Sequence, residues 1–306
     1  MRRFLAPAIA VLLASLGHAD AWLIQGVVSS YIGPGDLQTY TAWYGTRAYS
    51  RAVAVSAVGK SVRIRNTSSG ELCDVKLKFD GSQGFTTNCT STGAGQSISA
   101  FCGAVDCGVQ TFYDQLAGNA CGGASCDLVQ NTSANQPLLL ASDSYSTVAF
   151  TSSTAAVTSA NNFTPSAAKL TLSVVYNRYS GNQQIRPLHN IGSNNRIQAG
   201  AGAAQIAVFG GTSGSSVITS SDAAWHGDVA VINGASVSGI STATASNCTL
   251  AASVTASTTA AAPAINTNGQ TSTSFKVYEV GFIDNYAISV SDCFALNANP
   301  KTYWGY

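Results

Sequence analysis

Residues 101–130, FCGAVDCGVQTFYDQLAGNACGGASCDLVQ, constrain the fold of this chain more than any other stretch. They hold half of the eight cysteines as two pairs, Cys102/Cys107 and Cys121/Cys126, each separated by four residues. Between the pairs, Val109-Gln110-Thr111-Phe112-Tyr113 alternates faces and is rich in β-formers. It reads as a strand with a stapled turn at either end. Tyr113-Asp114-Gln115 closes that strand before a Gly/Asn loop, where an Asp organises the turn through backbone N–H groups.

The bridges are expected because of where the chain begins. Met1-Arg2-Arg3, an apolar block over residues 4–16 and the small residues around Ala19-Asp20-Ala21 have the layout of a secretory signal peptide. The block is too short for a membrane span, which needs roughly 20 apolar residues. The expectation is a signal over residues 1–21 and a single domain over 22–306, secreted to an extracellular or periplasmic space. In such a compartment an even number of cysteines forms a disulfide framework. Eight cysteines allow on the order of 100 connectivities. Local pairing is the expectation: Cys73 with Cys89, Cys102 with Cys107, Cys121 with Cys126 and Cys248 with Cys293. In the chain-entropy treatment the shortest loop contributes about 2 kcal/mol and the Cys248–Cys293 loop about 4. Zinc is the rival use of cysteine, but no C-x2-C pair occurs and there are three histidines.

Charged residues make up 9% of the chain, against about 25% in ordinary soluble domains. Cleavage after Ala21 removes two of the 15 basic and one of the 14 acidic residues, leaving the balance at zero. A neutral chain without a Lys/Arg run offers no footprint for nucleic acid or an anionic membrane. A neutral polysaccharide or other glycan suits it better as partner.

Strand signals recur along the chain and point to an all-β fold with one or two short helices. Residues 62–65 and 72–79 alternate around a Ser/Gly turn, as a hairpin does. Leu170, Leu172, Val174 and Tyr176 share one face, and residues 205–209 are a short apolar run. Asp228-Val-Ala-Val-Ile followed by Asn233-Gly234 is the strongest hairpin signal, since Asn-Gly supplies the positive φ angles of a type I′ turn. Residues 275–283 are the last clear strand. Helix periodicity is brief: residues 291–297, with Ser291 as cap, and residues 41–53. The Ala/Ser/Thr-rich stretches 151–162 and 241–274 have linker composition, yet Cys248 lies in the second and needs a partner, so that stretch reads as sandwich strands and loops rather than a domain boundary.

The pattern Phe-Cys-x4-Cys, strand, Tyr-Asp-Gln, Gly/Asn loop resembles the N-terminal part of α-L-arabinofuranosidase B catalytic domains, glycoside hydrolase family fifty-four. Thr41-Ala-Trp-Tyr-Gly-Thr-Arg-Ala-Tyr-Ser50 resembles their Arg-Ala-Tyr-Ser opening segment and that of laminin-G-like modules. Phe275-Lys-Val-Tyr-Glu-Val-Gly-Phe-Ile283 resembles their closing strand. The resemblance implies a concanavalin-A-like jelly-roll β-sandwich acting on arabinofuranosyl-containing polysaccharide without a cofactor. Calcium occurs in such sandwiches, but no Asp-x-Asp-x-Asp-Gly run supports it here.

A retaining glycosidase needs two carboxyl groups about 5–5.5 Å apart. The family carries its nucleophile in Cys-Cys-Phe-Asp-Tyr-Gly-Asn-Ala-Glu and its acid in a Gly-Gly-Asp-Asn loop before the closing strand. By order, the counterparts here are Leu188-His-Asn-Ile-Gly-Ser-Asn-Asn195 and Ile265-Asn266-Thr267-Asn268-Gly269, with amides in place of acids. An amide neither forms a glycosyl ester nor delivers a proton. Glu279, in the closing strand, is the remaining catalytic candidate. Asp114, Asn195, Asn266 and Trp225 are candidate substrate-binding residues. His226, between Trp225 and Asp228, has the makings of a general base but no marked nucleophile beside it, and a turn entering the hairpin is its expected place. Sequons begin at Asn66, Asn88, Asn131, Asn162 and Asn247 and matter in a glycosylating host. Three functions stay open: arabinofuranosidase, non-catalytic glycan-binding module, and structural surface or phage-type module.

Overall fold

A computed structural model describes residues 30–305, except 104, 117, 119, 142–145, 153, 181–184, 200–204, 211–212, 220–224, 234–235, 242–255 and 267–273. The expected signal peptide and Cys248 therefore lie outside the described residues. The first nine strands are β1 (Ala42–Gly45), β2 (Lys60–Arg65), β3 (Leu72–Leu77), β4 (Gln83–Thr87), β5 (Cys107–Phe112), β6 (Leu128–Val129), β7 (Leu138–Leu140), β8 (Thr147–Phe150) and β9 (Val157–Ser159). There follow β10 (Lys169–Ser180), β11 (Ile185–Leu188), β12 (Arg196–Ala199), β13 (Gln205–Gly210), β14 (Ser213–Thr219), β15 (Trp225–Asn233), β16 (Ser236–Ser241), β17 (Ala264–Ile265) and β18 (Ser274–Asp284). Three helices, α1 (Arg51–Ala54), α2 (Ile98–Cys102) and α3 (Val290–Trp304), complete the described regular structure beyond two 3-10 turns.

All described pairings are antiparallel, in two sheets. The larger runs β16-β15-β10-β18-β8-β7-β5-β2-β3-β4, with β1, β6, β9 and β17 attached beside this path; the smaller is β11-β12-β13-β14. Ten strands at about 4.8 Å each, laid flat, would spread over roughly 43 Å. Yet Val62, Ile64, Val75 and Val109 from one end share a single buried cluster with Leu170, Leu172, Ala230, Ile232, Val280 and Phe282 from the other. The large sheet is therefore bent around its own core. Leu188 and Ile197 of the smaller sheet join the same cluster, so two layers enclose it, as in the concanavalin-A-like sandwich.

Alternation decides which side chains enter. Along β10, Leu170, Leu172, Val174 and Tyr176 point into that core, while Val175 packs outside with Tyr278 and Trp304. The outer face of β15 offers Val229 and Val231 to Cys293 and Leu296 of α3. Gly281 of β18 lies opposite Trp43 of β1, and a Cβ there would run into the Trp43 and Tyr40 rings. Only a residue without a side chain lets those rings close over the strand.

Three disulfides join Cys73 to Cys89, Cys102 to Cys107 and Cys121 to Cys126. Cys293 is disulfide-bonded too. The Cys102–Cys107 bridge ties the end of α2 to the start of β5, as the sequence expectation of a stapled strand requires.

Several boundaries differ from the sequence reading. Residues 41–53 do not form one helix: β1 occupies their first part, and only α1 is helical, capped by Ser50 Oγ accepting from Val53 N at 3.3 Å. Trp43 and Tyr44 are drawn into strand pairing with β18, where both are buried. The final helix runs twice as far as expected and is capped by Ser289, whose Oγ accepts from Asp292 N at 3.2 Å, not by Ser291. In the β15–β16 hairpin the last rung pairs Asn233 with Ser236, so Asn233 belongs to the ladder rather than the turn. His226 lies within β15 rather than in a turn before it. Among the described residues no helix is long and apolar enough to cross a membrane.

Candidate functional site

Glu279 lies in β18 beside Val175 of β10 and Gly45 of β1. It is 1% exposed, and a buried carboxylate in an apolar strand needs a cation. Arg47, wholly buried, supplies it: Nε donates to Oε2 at 2.5 Å and a terminal nitrogen donates to Oε1 at 2.8 Å. Burial alone would lower the Arg47 pKa; the Glu279 carboxylate, together with the nearby Tyr31 and Tyr303, more than offsets this and raises it. Helix α3 covers the pair. Asn299 Oδ1 accepts from the guanidinium at 2.7 Å, and the guanidinium carbon lies 4.8 Å from the Tyr303 ring centroid and 5.9 Å from that of Trp304. Both carboxylate oxygens are thus engaged by a fork of donors, and the Arg-Ala-Tyr-Ser segment contributes the partner.

Trp225 stands on the same outer face. Its ring stacks on Tyr278 at 3.9 Å, and Tyr278 stacks on Trp304 at 4.0 Å, making a pile of three. Trp225, half-buried, is the outermost plate.

The Tyr-Asp-Gln element is a three-way clasp. Tyr113 donates its hydroxyl to Asp74 Oδ1 at 2.6 Å. Asp114 Oδ1 accepts from Trp43 N and Leu116 N, both at 3.2 Å, which is the loop-organising use of an Asp. Gln115 Nε2 donates to the carbonyls of Gly45 and Arg47, and its Oε1 accepts from Tyr49 N at 2.6 Å. Asp114 Oδ2 is buried without a hydrogen-bond partner among the described residues. Burial pushes the Asp114 pKa up to about 6, with the nearby Asp127 adding to the rise and the two backbone donors opposing it.

The two candidate asparagines flank β11. On one side β11 pairs with β12, Leu188 opposite Ile197; on the other, His189 and Ala264 exchange backbone bonds of 2.9 and 3.0 Å, and Asn266 N donates to Arg186 O at 3.0 Å. The link from β11 to β12 turns tightly because Asn190, Gly192 and Asn194 all take positive φ. Asparagine and glycine adopt that conformation at least cost. Asn195 is wholly buried: Nδ2 donates to Ile191 O at 2.5 Å and Ser257 O at 2.8 Å, while Oδ1 accepts from Ser257 N at 2.8 Å. Asn266, also at positive φ, donates Nδ2 to Ser152 O and Ala155 O, and its buried Oδ1 has no partner among the described residues. Each amide holds its own loop.

Sequence reasoning missed the cations at this place. Arg186 and His189 from β11 and its end, and Arg196 with Gln198 from β12, come together; Arg196 Nε donates to Gln198 Oε1 at 3.0 Å. Burial, then the Arg186 and Arg196 charges, depress His189 to about 3, so it is neutral at ordinary pH. Burial and Arg186 likewise bring Arg196 down to about 10. The signal available was modest: a basic residue four positions before Asn190 and another directly after Asn195. On the core-facing side of β15, His226 lies 5.6 Å from the Tyr176 ring, with Asp228 two residues on; both are 2% exposed.

Among the described residues, the one convergence of three potential metal donors is Glu71 with Cys73 and Cys89, whose sulfurs are joined to each other.

No family model matches the chain, and no curated protein matches it. Solved structures do. An arabinofuranosidase complexed with arabinofuranosyl-α-1,2-xylobiose superposes with a TM-score of 0.62 over 89% of this chain at 13% identity. A family fifty-four α-L-arabinofuranosidase soaked with a cyclic sulfate inhibitor gives 0.62 over 89% at 12% identity. A mutant of such an enzyme soaked with 4-nitrophenyl α-L-arabinofuranoside gives 0.64. The chain spans 65% of the length of each of these proteins. The shared property is the fold, that of the family fifty-four arabinofuranosidase sandwich.

Proposed function

We propose that this chain is a secreted sandwich, one domain over residues 22–306, that binds arabinofuranosyl-containing polysaccharide without cleaving it. The observation that carries the reading is the make-up of the β11–β12 and β17 region. There, where chain order puts the acids of family fifty-four, stand His189, Asn195 and Asn266 beside two arginines. The arginine guanidinium groups hydrogen-bond sugars, whereas the two amides are spent on their own loops, and none of these groups forms a glycosyl ester or protonates a leaving group. Glu279 cannot replace them while Arg47 holds both its oxygens. His189, kept neutral far below its usual range, is a poor proton donor.

The test pairs calorimetry with turnover. Mature protein titrated with linear arabino-oligosaccharides is expected to bind, to bind at least tenfold more weakly as Arg196→Gln, and to release no nitrophenol from 4-nitrophenyl α-L-arabinofuranoside at any pH. A second reading, hydrolysis through Asp228, is favoured by its burial on the core-facing side beside His226. Turnover abolished by Asp228→Asn would establish that reading in place of the first. Absence of both binding and turnover would leave the structural module.

A further inference from the structure

The outer face of β2 and β3 gathers several charged side chains. Cys73, Val75 and Leu77 of β3 face buried clusters, so Asp74 and Lys76 take the opposite side. β2 sets Arg63 opposite Asp74 and Lys60 opposite Lys76, with an irregularity between Lys60 and Arg63. Lys60, Arg63 and Lys76 thus gather around Asp74, with Lys60 Nζ 3.7 Å from the Tyr113 ring centroid, in a chain whose formal net charge is +1.

Asp74 is fully engaged. Oδ1 accepts from Arg63 at 2.7 Å and Tyr113 at 2.6 Å; Oδ2 accepts from Asn88 at 2.9 Å, with Lys60 Nζ at 3.6 Å. Like charges directly opposite one another destabilise a ladder, and irregularities of this kind re-aim side chains beside functional sites. The Lys60–Lys76 rung has both features. Next to it opens a cleft of about 230 Å³ lined by these two lysines with Val58, Asp74, Thr87 and Asn88. Asn88, at its edge, is held in a positive-φ conformation. Val58 is 83% exposed, and Phe85, whose ring lies 5.7 Å from Lys76 Nζ, is 41% exposed.

We propose that this cleft binds the carboxylate of a uronic acid residue in an acidic polysaccharide. The two ammonium groups supply the attraction, the Thr87 hydroxyl and Asn88 amide meet ring hydroxyls, and Phe85 and Val58 give the sugar an apolar rim. The cleft is smaller than the roughly 300–1,000 Å³ of drug-sized pockets, which suits one sugar unit. A nucleic-acid strand needs a longer cationic track. The site is separate from the β11–β17 region and does not depend on the reading given for it.

Trigalacturonate is the probe, titrated into the mature protein by calorimetry and by amide NMR. The expected result is binding that weakens as salt rises, with shifts at Thr87 and Asn88 that arabinotriose does not produce. Lys60→Gln/Lys76→Gln is expected to bind at least tenfold more weakly while keeping a cooperative melting transition; should the double variant fold poorly, Lys76→Gln alone is read the same way. Binding unchanged in these variants, shifts confined to other strands, or sodium sulfate binding as tightly as the uronide would each overturn the proposal, the last leaving an inorganic-anion site.

Discussion

Glu279→Gln separates a structural acid from a catalytic one. In the parent, Arg47 is 0% and Glu279 1% exposed, and two donor–acceptor contacts of 2.5 and 2.8 Å join them. The amide keeps one acceptor and removes the charge, leaving a buried guanidinium with Asn299 Oδ1 and the Tyr303 and Trp304 rings around it. Breaking a buried pair by removing one partner costs about 3–5 kcal/mol, because the other charge stays uncompensated. That is a large part of the roughly 5–15 kcal/mol that separates a folded domain from its unfolded chain. At about 2 °C per kcal/mol for a chain of this size, calorimetry should show melting some 6–10 °C lower. Arg47→Met/Glu279→Met, which removes both charges, should recover most of the loss, since apolar replacement of a whole buried pair is often neutral. Glu279→Gln melting within about 1 kcal/mol of the parent while abolishing a sugar-directed activity would refute the reasoning.

Two buried titrating groups give the stability opposite slopes in acid. Asp114, at about 6 in the fold against an ordinary 3.8, takes up its proton earlier when folded, so stability grows as pH falls from 6 towards 3.8, by about 3 kcal/mol in all. His189, at about 3 against 6.5, stays neutral when folded, so stability declines as pH falls from 6.5 towards 3. Melting curves from pH 7 to 4 should fall more steeply for Asp114→Asn than for the parent and less steeply for His189→Gln; parallel curves would contradict both assignments. Asn195→Ala removes three hydrogen bonds from a wholly buried site and should cost about 2–4 kcal/mol in urea unfolding, from the unpaired Ile191 and Ser257 groups it leaves. Ser289→Ala, at the cap of α3, should cost about 1 kcal/mol by the same measurement.

The strands were legible where one face is buried and the other is not. Lys169–Ser180 shows this, since Leu170, Leu172, Val174 and Tyr176 alternate without interruption and all enter the core. Residues 41–53 were not, because Trp43 and Tyr44 are strand residues only by virtue of β18, more than 230 positions away. Local composition carries no trace of such a partner. The same distance hid the role of Glu279: its strand position was readable, but its cation sits at Arg47 and its cover at residues 299–304. Of the β11–β17 region, the amides were readable from chain order, whereas the approach of Arg186, His189 and Arg196 depends on register between β11 and β12, interrupted between Ile185 and Leu188. A one-residue irregularity inverts which side chains share a face, and no pattern in so short a strand announces it.

The lid that α3 places over Arg47 has a bearing on how this chain is made. A nascent polypeptide emerging from the ribosome presents its Arg-Ala-Tyr-Ser segment long before Glu279 and the closing aromatic residues have been synthesised. The early half must therefore wait with an unneutralised cation and unpaired strand edges, a state in which long-range β topologies fold slowly and attract aggregation. Translation stopped anywhere short of residue 304 should yield material for proteases rather than a smaller working module.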